Sequence, residues 1–167
     1  MRGAATLIAS SSALLLVACG SAASVAATPT PTSVLAQGYL KAASKANKAQ
    51  DALYPRLRRD CQNLDPCKPD FAELSQIEKA FVNEIRAMKV PTSMQADLRA
   101  VLDIERRRID LTDDAAQATS LNQITQDYNS FRALDNQFGD AIDHIRLDLG
   151  LPAAPILTPG ASPSASA

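Results

Sequence analysis

The chain has 167 residues, with 17 Lys and Arg against 18 Asp and Glu, three Cys, one His and no Trp. A net charge of −1 leaves no electrostatic footprint for nucleic acid. With aromatic residues at 4%, the chain has none to spare for the stacking platforms that single-strand and carbohydrate surfaces need.

Met1 and Arg2 form a minimal positive segment, followed by an uncharged run, residues 4–17, that contains Leu14-Leu15-Leu16. The run falls short of the roughly 20 residues of a spanning helix and has the length of a signal-peptide core. It ends in Leu16-Val17-Ala18-Cys19. This stretch resembles the bacterial lipoprotein signal, whose lipobox reads Leu, a small or β-branched residue, Ala or Gly, then Cys. The resemblance covers the first twenty residues and no family is recognised for the globular part. It implies that residues 1–18 are a signal peptide removed by signal peptidase II. Cys19 then carries a thioether-linked diacylglycerol and often an amide-linked third chain such as palmitate. Two or more acyl chains hold a protein stably on a bilayer. The domain would lie outside the cytoplasm, on the outer face of the cell membrane or at an outer membrane if the host has one. The alternative is an ordinary secretory signal with a chance cysteine.

Residues 19–32, small and polar with alternating Thr28-Pro29-Thr30-Pro31, read as a flexible tether. Residues 151–167, rich in Pro, Ala and Ser and uncharged, read as a disordered tail. Between them, residues 33–150 lack strand alternation and show helical periodicity four times.

The first predicted helix runs from about Ser33 to Arg59. Its apolar face is Leu35, Tyr39, Ala42, Ala46, Ala49, Leu53 and Leu57. Pro55 should bend or interrupt it, because proline removes a hydrogen bond and clashes with the preceding turn. Asp60 to Pro69 reads as a connection, with two prolines against a helix. Cys61 and Cys67 lie within it, an even pair once Cys19 is lipidated. In an exported chain they predict a disulfide; a redox or metal pair is the other use of such residues. A second helix starts near Asp70, with Glu73 at capping-box spacing. Its stripe is Phe71, Leu74, Ile77, Phe81, Ile85 and Met88, and Pro91 ends it. A third opens at Thr92, with Gln95 at the same spacing. It carries Met94, Leu98, Val101, Leu102, Ile109 and Ala116, with Glu105 and Thr112 intruding on that face. Ser120 and Gln123 cap the fourth, whose stripe runs unbroken from Leu121 to Leu149. Gly150 and Pro152 stop it. The fourth helix should be the most buried. The pattern predicts an all-α fold, an antiparallel up-and-down four-helix bundle; a three-helix bundle with the first helix loosely docked is the rival.

Few residues suggest chemistry. One histidine, His144, is too few for a di-iron site built from two Glu-x-x-His helices. It is either a boundary residue or, with Met88 or Met94, an axial ligand for haem. Glu105, beside Arg106-Arg107-Arg108, is either a buried carboxyl with a raised pKa or an edge residue reaching water. The arginine run points around the helix and reads as a mostly solvated face. Lys41, Lys45 and Lys48 recur at helical spacing. They either touch anionic lipid or polymer, or match the acids of the fourth helix: Asp127, Asp135, Asp140, Asp143 and Asp148. No phosphate-binding loop appears, and no nucleophile has a histidine to activate it. The expectation is a non-enzymatic binding or adaptor module at the cell envelope, without cofactor, whose partner is an envelope protein or polymer. A carrier or sensor of haem, lipid or metal comes second, and an enzyme built on Glu105 or His144 third.

Overall fold

The computed structural model describes residues 31–154, with side chains from Ser33 onward. Cys19, the tether up to residue 30 and the tail from residue 155 lie outside the described residues. Within them the fold is all-α, with no strand: α1 (Pro31–Asp60), α2 (Leu64–Arg86), α3 (Gln95–Gln117), α4 (Leu121–Ala133) and α5 (Asp135–Asp148). The helices form an up-and-down bundle in which α4 and α5 together make the fourth rod. Cross-helix pairs fix the antiparallel order. Lys45 and Arg56 of α1 meet Glu84 and Glu73 of α2 respectively. Lys79 of α2 meets Asp113 of α3, and Arg108 of α3 meets Asp135 of α5.

The helix boundaries depart from the sequence expectation in instructive ways. α1 is not interrupted at Pro55, which is exposed. Leu53 and Leu57 flank it and are both buried, so core packing holds the helix on either side of the missing N–H bond. α2 starts at Leu64, not near Asp70, and absorbs much of the expected connection. Asn63 is its N-cap residue, so Pro66 falls in the first turn, where backbone N–H groups have no intrahelical acceptor in any case. Asp70 is therefore not a cap. It is buried inside α2, 3.4 Å from the Arg56 guanidinium. Thr92–Met94 form a 3-10 turn before α3, with no side-chain cap from Thr92.

The fourth rod begins as expected. Ser120 Oγ accepts from the Gln123 N–H at 3.2 Å, and Gln123 reaches back to the N–H of Thr119. It is not one helix, however. A tight turn at Leu134, whose N–H donates to Phe131 O at 3.0 Å, separates α4 from α5. The break places Asp135 in the first turn of α5, where the helix dipole favours an acid. At the far end Gly150 adopts φ 70°. The N–H groups of Gly150 and Leu151 then close on Leu147 O and Arg146 O, a Schellman stop. Residues 151–154 continue along α5, where Asp143 accepts from the Ala154 N–H and Arg146 donates to Pro152 O. Pro152 and Ala154, expected in the tail, are thus tied to α5.

The most deeply buried rod is not the fourth. α2 buries nine residues, α4 two and α5 three. The apolar core is divided in two. One cluster joins Ala36, Tyr39 and Ala42 to Phe81, Ile85, Val101, Ile142 and Ile145. The other joins Leu53, Leu57, Cys67, Phe71 and Leu74 to Ala115, Ile124 and Phe131. Between them the bundle interior is polar.

Candidate functional sites on the bundle surface and in its core

Cys61 and Cys67 form a disulfide, Cα to Cα 4.3 Å, that ties the end of α1 to the first turns of α2. Cys67 is fully buried in the second apolar cluster, a position that makes the bond a structural staple.

Lys41, Lys45 and Lys48 are all exposed on α1. Lys45 donates to Glu84 at 2.5 Å, so this lysine is met by α2 and not by the fourth rod. Arg56, paired with Asp70 and Glu73, repeats the pattern. The acids of the fourth rod serve elsewhere: Asp135 meets Arg108 and Arg132, and Asp143 holds the Ala154 N–H. Beside Lys45 the two helices leave an open groove of about 200 Å³. Its floor is Ala42, Ala46, Ala49, Ile77, Ala80 and Phe81, and its rim Lys45, Glu73, Gln76 and Glu84. The alanine-rich stripe of α1 creates it, because small side chains facing α2 leave the groove unfilled.

His144 stands on the surface with its side chain 68% exposed, its Nδ1 3.5 Å from Asp97. It is the boundary residue of the first sequence alternative and not an interior haem ligand. Among the described residues no group of three or more His, Cys, Asp or Glu is placed to hold a metal ion, and no helix is long and apolar enough to cross a membrane.

Glu105 does the opposite of His144. It is 1% exposed, at the centre of the polar layer, and not at an edge. Val101, Glu105, Arg108, Thr112 and Ala115 are the buried face of α3, so Arg108 belongs to the interior while Arg106 and Arg107 face water. The Arg108 guanidinium is 3.2 Å from Glu78 of α2, 3.3 Å from Asp135 of α5 and 3.9 Å from Glu105. Its carbon lies 4.2 Å from the Phe131 ring centre and 4.4 Å from that of Phe138. Such contacts are worth roughly 0.5–2 kcal/mol each when desolvated. α1 contributes Gln50, whose amide donates to Glu78 at 2.8 Å, and Tyr54.

The electrostatics follow from burial. Desolvation is the largest influence on Glu105, and the facing Glu78 carboxyl adds to it; together they hold Glu105 well above the usual carboxylate range against the pull of Arg108. Asp135 is raised by burial, with Arg108 and Arg132 opposing. Burial works against the Arg108 charge, but Glu78, Glu105 and Asp135 outweigh it. The Tyr54 phenol is pushed up to about 12 by burial.

Two members of this layer, Glu78 and Arg108, were not anticipated. The signal for them was positional: Glu78 continues the spacing of Phe71, Leu74, Phe81 and Ile85, and Arg108 that of Val101 and Glu105. No protein-family model, curated protein or solved structure matches the chain.

Proposed function

We propose that the chain is an extracytoplasmic lipoprotein, held on the bilayer through acylated Cys19, whose helical domain is a non-enzymatic binding module at the cell envelope. The α1–α2 groove is the observation that carries the binding reading. Its apolar floor and charged rim suit protruding apolar side chains of an envelope protein. At about 200 Å³ it is smaller than the roughly 300–1,000 Å³ usual for enclosed small-molecule sites, which favours a partner surface over a carried ligand. The disulfide is consistent with an oxidising compartment. Glu105 meets no substrate unless the bundle opens, and exposed His144 is not beside it.

Two substitutions test the two halves of this reading in cells. Cys19→Ser should abolish incorporation of labelled fatty acid into the protein; label retained by the variant would contradict acylation there. A photo-reactive residue at Gln76 on the groove rim should give a discrete adduct with one envelope protein, abolished by Ala46→Glu. Adducts indifferent to Ala46→Glu would remove the groove from consideration. Haem, lipid or metal retained by the purified protein would put the carrier reading in its place.

A further inference from the structure

We propose that the mid-bundle layer is a binding site for one proton, held between Glu78 and Glu105, and that losing this proton loosens the α4–α5 junction at Asp135. Three carboxyl groups, Glu78, Glu105 and Asp135, surround a single guanidinium, Arg108. Arg108 serves Glu78 and Asp135 at 3.2 and 3.3 Å, while its nearest approach to Glu105 is 3.9 Å. Both Glu105 oxygens are sealed from water and receive no hydrogen bond. Glu78 and Glu105 approach the same guanidinium, at 3.2 and 3.9 Å, which brings the two carboxyls together. Two carboxylates cannot donate to each other, so the contact becomes a hydrogen bond only when one is protonated. A buried ionised carboxylate without a donor is expensive, and adding a proton removes that cost.

Every rod faces the site. α1 brings Gln50 and Tyr54, α2 Glu78, α3 Glu105 and Arg108, α4 Tyr128 against Tyr54, and α5 Asp135. Apart from Arg108, none of these carries a positive charge; its Nε has no hydrogen-bond partner and lies 3.9 Å from Glu105, so an ionised Glu105 draws the guanidinium toward itself and away from its other acids. Asp135 is the partner that gives way. Its side chain is 32% exposed, and Arg132 offers it a second cation at 3.1 Å on the outer face. Glu78, 2% exposed and held by Gln50, has no such exit. Asp135 opens α5 directly after the Leu134 turn, so its release is felt at the junction of α4 and α5. The burial that raises the Glu105 carboxyl points the same way.

The test uses the exported chain, with carboxyl-carbon NMR and amide hydrogen exchange followed from about pH 4, near the ordinary glutamate value, to about pH 9. The Glu105 carboxyl should titrate well above the range of an exposed glutamate, because burial disfavours its charge. Exchange at Leu134 to Phe138, corrected for intrinsic rate, should rise about tenfold through that titration. Glu105→Gln, an isostere of the protonated form, should keep the fold and abolish the rise. Titration of Glu105 in the ordinary range, or junction exchange that does not follow it, would overturn the proposal in the wild-type protein alone. A folded Glu105→Gln protein that keeps the rise would overturn it as well.

Discussion

Arg108 shows how a charge becomes part of a core. Its neighbours Arg106 and Arg107 project into water, whereas its own guanidinium is stacked on Phe131 and Phe138 and ringed by acids. Phe71 packs on Tyr128, Tyr128 on Phe131, and Phe138 on Phe81, so the guanidinium bridges two aromatic groups. Removing it would leave Glu78 buried without a cation, a change that costs about 3–5 kcal/mol. Arg108→Met should therefore lower unfolding stability by that amount, measured by urea titration. Arg106→Met and Arg107→Met should each stay within about 0.5 kcal/mol of wild type. Equal effects from all three would return the run to the solvated face that its composition suggests. The layer was half-legible in the sequence. Glu105 stood out because it broke an apolar stripe. Glu78 and Arg108 did not, because each looked like ordinary surface charge until its spacing was read across two helices.

At the scale of elements, periodicity located all four rods, but their ends were set by chemistry that periodicity does not carry. The Ser120–Gln123 cap and the Gly150 stop were legible because each uses a local hydrogen-bond pattern completed within a few residues. The start of α2 was not. Pro66 and Pro69 argued for a loop, yet the helix spans both, with Cys67 sealed into the core and bonded to Cys61. The Leu134 break was hidden by an apolar stripe that continues straight through it. If the disulfide is what secures the α1–α2 corner, Cys61→Ala with Cys67→Ala should cost about 2–3 kcal/mol by the loop-entropy model. It should also raise amide exchange over Asn63 to Pro69 before the rest of α2. Uniform exchange along α2 in the double variant would show that the helix start does not depend on the staple.

For the whole molecule, the arrangement of charge sets how stability responds to pH. Glu105, Asp135, Asp70 and Asp127 all sit above their ordinary values, chiefly through burial. A group raised in the folded state lends stability that is complete below its unfolded value and is lost as pH climbs through its folded value. Asp113 has the opposite sign. Burial opposes its charge, but the Lys79 and Ser75 hydrogen bonds outweigh this and lower it, so its contribution fades as pH falls through its folded value. The bundle should be most stable in mildly acidic solution and weaken toward neutral and alkaline pH. The decisive measurement is the thermal unfolding midpoint of the wild-type chain and Glu105→Gln across that range. A midpoint that falls with rising pH in wild type, and falls distinctly less in Glu105→Gln, is the expected result. A wild-type midpoint that is flat or rises toward alkaline pH would contradict a core built around a protonated Glu105, and so would identical slopes in the two proteins.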